Sequence, residues 1–350
     1  MKAVVYHGAN DLRLEVLPVP KISISEVLVK VAVCGVCPTD IKKIHYGTLP
    51  GPRVFGHETA GTIVKVGSAV KGWRPGDRVG LHHHVPCLHC HACQHHAFAQ
   101  CPQYKRTGIT AGFEPSGGGY AEYVRVLHFC LPGMVRIPNN CTFEQGALLE
   151  PVNTVLKGMK KLGLLPGDKV LVIGQGPIGL MFTRLLYIHG MQVAASDLLE
   201  SRLQRAKEWG ATCVVQAGKE ESAGKLEKWA GKEKLDAVVL AVPSDAALKE
   251  AMAQLRGGGK VLLFAHTRRG NQTEIDLSNI CVDEIDLLGS YSSDFLLQKE
   301  VAKLVFTRKI DTEVIVTHRF ALEETASAIS LAANPMESAL KILVRVEKEA

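Results

Sequence analysis

The chain has 350 residues, of which 46% are apolar and 22% are charged, and its formal net charge is +6. At about 150 residues per domain this length predicts two domains and excludes a peptide or a single small module. The composition excludes extended disorder and a collagen-like repeat, and so small a net charge does not indicate a nucleic-acid or acidic-membrane partner.

Ten cysteines and fourteen histidines are the unusual part of the composition. The chain has no apolar run of the roughly 18 residues that a membrane span needs, and its start lacks the apolar core of a signal peptide. We therefore expect a cytoplasmic protein without a membrane partner. Because a reducing cytosol disfavours disulfides, clustered thiols in such a protein indicate metal binding or catalysis.

The chain has two successive parts with different sequence patterns. Up to about residue 150, short β-branched runs alternate with glycine, proline and histidine, which predicts a β-rich domain with many loops. From residue 169, apolar strands, Gly-rich turns and amphipathic helices alternate, which predicts βαβ units around a doubly wound parallel sheet. The predicted strands are 27–33, 62–66, 78–81, 120–126, 170–173, 192–195, 213–216, 235–242, 260–265 and 285–288, with helices over 178–189 and 200–209.

The last part of the chain has helical patterns over residues 296–306 and 322–333 and an apolar strand over 340–346. Because it adds no further βαβ unit, we expect it to pack back on the first domain and to complete it. The predicted fold is α/β, with segments 1–152, 153–290 and 291–350, the first and last forming one domain.

A Gly-x-Gly-x-x-Gly hexapeptide, GQGPIG over residues 174–179, directly follows the strand 170–173 and opens a helix. In this pattern the first glycine permits a tight turn, the second lets a pyrophosphate approach the backbone, and the third lets helix and strand pack closely. A plain Gly-rich turn is the alternative interpretation. The candidate cofactor-binding residues of the turn are Gly174, Gly176, Ile178 and Gly179.

Asp197 ends the next predicted strand, about 20 residues further on, where a carboxylate can accept hydrogen bonds from ribose hydroxyls and repel a 2′-phosphate. This favours NAD over NADP. Arg202 follows at the start of the next helix and is a candidate to border the adenine, or else an ordinary charge on a solvated helix face.

Cys87, Cys90, Cys93 and Cys101 form a C-x2-C-x2-C-x7-C pattern. Four thiolates at such spacing can enclose Zn²⁺ tetrahedrally and leave no position for substrate, so the pattern predicts a structural zinc. The histidines between His82 and His96 are interpreted as a solvated surface, with additional metal ligands as the alternative.

A second set of candidate ligands is dispersed along the chain: Cys37, His57, Glu58 and Glu150. A thiolate, an imidazole and a carboxylate would leave the open fourth position that a catalytic zinc requires. Taken singly, the same residues are also explained as a buried thiol, a core histidine and ordinary carboxylates, and their spacing alone does not unite them.

Several motifs connect these sites. The string GHExxGxxxxxGxxV covers residues 56–70, PGDRV follows at 75–79, and GYAEY stands at 119–123. With the Cys37 segment, the four-cysteine lobe and the Gly-rich turn, they occur in the order found in the zinc-containing medium-chain dehydrogenases, the group of the zinc alcohol, polyol and threonine dehydrogenases. The chain resembles this family over nearly its whole length.

The resemblance implies a GroES-like β-rich catalytic domain and a Rossmann domain, with the active site in the cleft between them. It places Cys37 and His57 on two ligands of the catalytic zinc, and Glu150 where the simple alcohol dehydrogenases have a cysteine. In the polyol and threonine dehydrogenase branch Glu58 also approaches the metal, so both glutamates are candidate ligands.

Thr39 is, by the same resemblance, the first acceptor of the substrate proton. Lys42 occupies the place where many relatives carry the histidine that ends the proton relay. Pro38 stands where a small residue is commoner, and Leu88 replaces the usual glycine after the first lobe cysteine.

The implied reaction is reversible hydride transfer between an alcohol and NAD, giving a ketone or an aldehyde. A polyol, a secondary alcohol or an amino alcohol is the expected small-molecule substrate, with segments 107–113 and 291–295 as candidate borders of its pocket. We further expect two zinc ions per chain and a homodimer or homotetramer. The alternatives are a zinc-free quinone or enoyl reductase of the same superfamily and a non-enzymatic nucleotide-sensing protein.

Overall fold

A computed structural model describes residues 1–82, 85–106, 116–265 and 270–347, with the side chains of residues 105 and 106 left out. The predicted pocket border 107–113 and the histidines at positions 83 and 84 lie outside the described residues. None of the helices in the described ranges has the length and apolarity needed to span a membrane. The strands are β1 (Lys2–Gly8), β2 (Asp11–Val16), β3 (Val27–Gly35), β4 (Arg53–Val54), β5 (Glu58–Val66), β6 (Arg78–Leu81), β7 (Tyr123–Val126), β8 (Val135–Arg136), β9 (Lys169–Ile173), β10 (Gln192–Asp197), β11 (Cys213–Gln216), β12 (Leu235–Leu240), β13 (Leu255–Leu263), β14 (Asp286–Gly289), β15 (Val316–Ala321) and β16 (Lys341–Arg345). The helices are α1 (Pro38–Tyr46), α2 (His91–Gln94), α3 (Pro102–Arg106), α4 (Phe143–Ala147), α5 (Leu149–Leu162), α6 (Pro177–Ile188), α7 (Glu200–Glu208), α8 (Glu221–Ala230), α9 (Asp245–Gln254), α10 (Leu277–Cys281), α11 (Gln298–Phe306) and α12 (Thr325–Ala333).

The chain divides into two compact units, Met1–Asn153 with Ser293–Ala350, and Thr154–Ser292. In the first unit a sheet runs in the order β15-β16-β3-β5-β6-β8, with β7 also paired to β3, beside a small sheet β2-β1-β4. The Val-rich strand β3 is buried along almost its whole length, because its side chains enter cores on both faces of the sheet.

The C-terminal segment joins the first unit through its strands and through a charged cluster. β16 pairs antiparallel with β3, and β15 pairs parallel with β16. On α4, the Glu144 carboxylate accepts two hydrogen bonds from Arg319 of β15, both 2.7 Å long, and one of 3.1 Å from Arg345 of β16. Three charge-assisted hydrogen bonds thus connect the early chain to its last two strands.

Glu144→Gln should lower the free energy of unfolding at pH 7 by about 1 to 2 kcal/mol, because the amide cannot accept all three charged bonds. Burial raises the pKa of Glu144, but its bonds to Arg319 and Arg345 outweigh burial and hold the pKa below the ordinary 4.5. A carboxyl whose pKa is lower in the folded state stabilises the fold above its unfolded pKa, and this stabilisation is lost as the pH falls through the folded pKa.

Urea unfolding at pH 7 and at decreasing pH below 4.5 measures this difference. The gap between wild type and variant should close in acid. Glu347→Gln is the matched control, since the Lys30–Glu347 pair is far more exposed. The stabilising role of Glu144 would be refuted if both variants lost the same free energy of unfolding. It would also be refuted if the difference between wild type and Glu144→Gln persisted in acid.

The second unit contains one parallel sheet in the order β11-β10-β9-β12-β13-β14. The order reverses at β9, so the turn that follows β9 lies at the switch point where doubly wound sheets bind nucleotides. Residues 170–173 of β9 are buried on both faces, as the continuous apolar run predicted. The predicted α/β class is confirmed, although β13 begins at Leu255, five residues earlier than expected, because Leu255 already pairs with β12 and residues 256–259 form an irregular bulge before Lys260 pairs again.

Candidate metal centres and dinucleotide site

The first candidate centre lies where β3 ends and β5 begins. These strands pair antiparallel with Gly35 opposite Glu58, so the chain leaving β3 and the chain entering β5 meet at one place. Cys37 is the N-cap of α1 in an extended conformation, and Pro38 takes the first helical turn. Proline is favoured at the first position of a helix. This explains how α1 accepts Pro38 at a position where a small residue is commoner in the family.

Cys37, His57 and Glu58 each offer one ligand atom, and these atoms lie within 4.8 Å of one another. The histidine and the glutamate are buried, the cysteine is half-buried, and no disulfide engages it. Thiolate, imidazole and carboxylate are the donor types that zinc takes in catalytic sites. The donor set therefore fits a zinc ion and leaves a coordination position open.

Asp40 fixes the imidazole of this group. It lies in the first turn of α1, wholly buried, with its Oδ1 atom 3.1 Å from His57 Nδ1. Burial raises the pKa of the Asp40 carboxyl, but the facing His57 charge and hydrogen bond outweigh burial and lower the pKa overall. A carboxylate that accepts from Nδ1 directs Nε2 toward a metal, as in the carboxylate–histidine–zinc arrangement.

Lys341 fixes the carboxylate of the same group. Its Nζ donates 2.7 Å to Glu58 and 2.9 Å to the carbonyl oxygen of Val36, and both charged side chains are almost wholly buried. A Cβ atom on Gly35 would lie 1.9 Å from a Glu58 oxygen, so only glycine leaves room for this carboxylate. Burial lowers the pKa of Lys341, yet the negative charges of Glu58 and Cys37 raise it overall.

Glu150 lies in the first turn of α5, with 5% of its surface exposed. Burial raises the pKa of its carboxyl to about 7, and the charges of His57 and Glu58 act on it in opposite directions. Its oxygens are not part of the group of ligand atoms within 4.8 Å. The geometry thus brings Cys37, His57 and Glu58 together and leaves Glu150 as a buried neighbour.

Thr39 and Lys42 lie three residues apart on α1, both half-buried. Residues at this spacing share a helix face. Burial lowers the pKa of the Lys42 ammonium group, and the negative charge of Cys37 partly offsets that shift.

The second candidate centre is the four-cysteine lobe, where the Sγ atoms of Cys87, Cys90, Cys93 and Cys101 all lie within 4.8 Å of one another. Sγ of Cys93 is 3.5 Å from that of Cys90 and 3.9 Å from that of Cys87. A disulfide has an S–S distance of about 2.05 Å, so these thiols are separate and converge on one point. Four converging thiols fit a closed tetrahedral zinc site.

The lobe has a small core of its own, in which Phe98, Ala99 and Tyr104 pack around Cys93 and Cys101. Helix α2 and a 3₁₀ turn over Phe98–Gln100 form in this segment, for which no regular structure was predicted.

Leu88 has φ +67°, in the left-handed region that glycine adopts without strain. The glycine that the resemblance implies at this position would adopt the same conformation without strain.

The Gly-rich turn has the geometry of a dinucleotide site. Gly174 has φ +91°, and a Cβ atom on Gly179 would lie 1.7 Å from the carbonyl oxygen of Gly174. A Cβ atom on Gly176 would meet nothing within 4 Å, so the backbone there faces open space. Gly176 is the N-cap of α6, and Ile178 lies half-buried in the first turn of this apolar helix. The helix therefore begins beside the open space at Gly176, where a pyrophosphate would bind to the helix N-terminus.

Asp197 ends β10 and is 7% exposed. Its Oδ2 accepts a 2.6 Å bond from the amide of Gln175 in the turn, and its Oδ1 accepts a 3.0 Å bond from the amide of Leu199. Nη1 of Arg202 lies 3.9 Å from Oδ2. The structure thus brings the acidic residue and the arginine to the Gly-rich turn.

Two family models match the chain, the alcohol dehydrogenase GroES-like domain over residues 23–138 and the zinc-binding dehydrogenase domain over 177–307. A sorbitol dehydrogenase of Bombyx mori is 32% identical over 99% of this chain and 98% of its own length. The chain belongs to the zinc-containing medium-chain dehydrogenase family.

Solved structures share the fold of this dehydrogenase. A zinc-binding dehydrogenase from Sinorhizobium meliloti 1021 bound to NADP is 29% identical, with 99% of each chain covered and a TM-score of 0.88. An alcohol dehydrogenase from Escherichia coli CFT073 complexed with NADH is 26% identical, with the same coverage and TM-score. The predicted family and its oxidoreductase class are confirmed, and the zinc-free reductase and the nucleotide-sensing protein are not favoured.

Two residues of the first centre, Asp40 and Lys341, were not among the predicted site residues. Asp40 stands three residues after Cys37, in the first turn of a helix. A carboxylate is common there because it interacts favourably with the helix dipole, so its presence did not indicate a site. Lys341 is the one charge within the apolar run Leu340–Val344, and a lysine inside a buried strand is a signal for a buried partner.

Proposed function

We propose that this dehydrogenase oxidises a polyol or a related secondary alcohol reversibly, with NAD as the hydride acceptor. The observation that carries the proposal is the donor group of Cys37, His57 and Glu58 within 4.8 Å, in a chain 32% identical to a sorbitol dehydrogenase. An alcohol transfers hydride from its carbon readily only after its hydroxyl group has lost a proton, so the pKa of the hydroxyl must be lowered, and this donor group supplies the place for that chemistry.

Cys37, His57 and a glutamate would hold the catalytic zinc, which when bound lowers the pKa of a hydroxyl group. The choice of Glu58 as the glutamate is supported by the 4.8 Å within which its ligand atom lies from those of Cys37 and His57. Lys341 already holds Glu58 at 2.7 Å, so Glu150 could replace Glu58 as a ligand only if its own oxygens moved closer to Cys37 and His57. The lobe cysteines Cys87, Cys90, Cys93 and Cys101 would hold the structural zinc.

Thr39 receives the substrate proton at its Oγ1 atom in this proposal. Its position two residues after Cys37, near the start of α1, and its half-buried side chain support this role. Lys42, on the same face of α1, stands in place of the usual histidine and can take the proton onward only as the neutral amine, the form that its burial favours.

The preference for NAD rests on Asp197. Its carboxylate is held beside the Gly-rich turn by two backbone amides, where it would accept hydrogen bonds from ribose hydroxyls and repel a 2′-phosphate. The relatives include structures with NADP and with NADH, so the family alone does not decide between the cofactors.

Asp197→Asn should shift the ratio of kcat/KM for NAD over NADP toward NADP by about 10- to 100-fold, since it removes a charge of the same sign as the 2′-phosphate. The asparagine oxygen can still accept one of the two amide bonds, so the turn is less disturbed than by alanine. Steady-state kinetics with both cofactors measures the ratio. An unchanged ratio would remove the charge argument for NAD.

The proposed activity is tested by NADH formation from D-sorbitol, xylitol, 2,3-butanediol, threonine and ethanol with zinc-loaded protein. We expect kcat/KM for at least one polyol or diol to exceed that for ethanol by at least ~10-fold, because extra hydroxyls allow hydrogen bonds that ethanol cannot make. Silence on every alcohol, with NAD and two zinc ions bound, would instead support a sensing role.

We also propose that the protein works in the cytoplasm as a homodimer or homotetramer. In support, no disulfide joins any of the ten cysteines, all of which lie in the described ranges. In the second unit β14 is an edge strand, and Leu277 and Val282 near it are more than 70% exposed. Light scattering gives the oligomeric state.

A further inference from the structure

Among the described residues, the histidines at positions 89, 91, 95 and 96 of the cysteine lobe belong to neither group of converging ligand atoms. Two of them, His91 and His95, begin and cap the short helix α2, and both are exposed. The amide of His95 donates 3.2 Å to the carbonyl oxygen of His91, so the two residues are one complete helical turn apart. Their ring centroids lie 4.5 Å from each other, with the planes inclined by 54°.

Two imidazoles four residues apart on a helix project from the same face, and this spacing lets both rings bind one metal ion. Imidazole nitrogen is a good ligand for Zn²⁺, Cu²⁺ and Ni²⁺. Since both rings are exposed, solvent can supply the remaining ligands of such an ion.

The lobe holds this pair in place before any metal binds to it. Cys90 directly precedes His91, and Cys93 lies between the two histidines and is buried in the small core of the lobe. Coordination of one zinc ion by the four cysteines would therefore fix the helical turn that carries both rings. Four thiolates around one Zn²⁺ also leave a net charge of −2, which attracts a second cation to the adjacent surface.

We propose that His91 and His95 form a third metal site, a surface chelate of two imidazoles for a divalent transition-metal cation. This site is separate from the catalytic and structural zinc sites and does not depend on the proposed dehydrogenase reaction. It identifies a place where Zn²⁺, Cu²⁺ or Ni²⁺ in excess of the two zinc ions binds to the protein.

The test is a calorimetric titration of the zinc-loaded protein with Ni²⁺ at pH 7.5, with the zinc content measured before and after. We expect the wild type to bind one Ni²⁺ without releasing zinc. His91→Ala and His95→Ala should each weaken this binding by at least ~10-fold, since each leaves a single imidazole. His128→Ala is the matched control, because His128 is also exposed but lies outside the lobe, with its ring against that of Phe129.

Equal Ni²⁺ affinity in wild type, His91→Ala and His95→Ala would overturn the proposal, as would the absence of Ni²⁺ binding by the wild type. If an alanine variant loses lobe zinc, His95→Gln replaces it, since glutamine keeps the size and helix preference of the site and removes the imidazole. Undiminished Ni²⁺ binding by His95→Gln with full zinc content would equally overturn the proposal.

Discussion

Replacing Cys37 by serine is expected to lower alcohol oxidation by at least ~1000-fold, equivalent to ~4 kcal/mol in the activation free energy. The thiolate is one of three donor groups within 4.8 Å, and a serine hydroxyl is a poor substitute for it as a zinc ligand. The Gly-rich turn and Asp197 belong to the other compact unit. NAD binding should therefore change little.

NADH formation measures the first effect, and fluorescence titration with NADH measures the second. Cys281→Ser is the control, because Cys281 is an exposed thiol on α10 with no proposed role. Full activity in Cys37→Ser would remove Cys37 from the reaction centre. Loss of NADH binding together with activity would point to a folding defect in place of a missing ligand.

Replacing Cys93 by serine is expected to lower the stability of the fold strongly, whereas Cys37→Ser is expected to act mainly on activity. Cys93 is buried, lies 3.5 Å and 3.9 Å from two other lobe thiols, and belongs to the small core around Phe98. Zinc binding supplies much of the folding free energy of so small a lobe, so we expect a loss of about 4 kcal/mol or more. For a chain of 350 residues that corresponds to a fall in Tm of about 5 °C.

Differential scanning calorimetry and zinc analysis of the same samples measure this loss. Each of the two cysteine variants should lose one zinc ion per chain, but only Cys93→Ser should lose the stability as well. A Cys93→Ser protein with unchanged zinc content and Tm would contradict the structural role of the lobe.

The parts of the molecule that follow local rules were predictable from sequence. The turn after β9 was one of them, because a buried apolar strand, three spaced glycines and a helix start leave few other conformations. The four lobe cysteines were another, since their spacing of two and seven residues limits which thiols can meet. In both cases the residues that act together are near neighbours in the chain.

The first centre was predictable only in part. Cys37 and His57 were found through family motifs, and the structure supplies the reason why they meet, namely the register that sets Gly35 opposite Glu58. Lys341 could not be connected with Glu58 from sequence, because 283 residues separate them and only the pairing of β16 with β3 brings them together. Glu150 was also found through the family resemblance, but its oxygens do not lie within 4.8 Å of the other donor atoms, so its role as a ligand stays a prediction.

Zinc analysis of the wild-type protein, combined with NADH formation on the same sample, tests most directly the claim that the chain has two metal centres of different function. We expect two zinc ions per chain, and a chelator that removes the more accessible one should abolish activity until Zn²⁺ is restored. One zinc ion per chain in a fully active protein would contradict it.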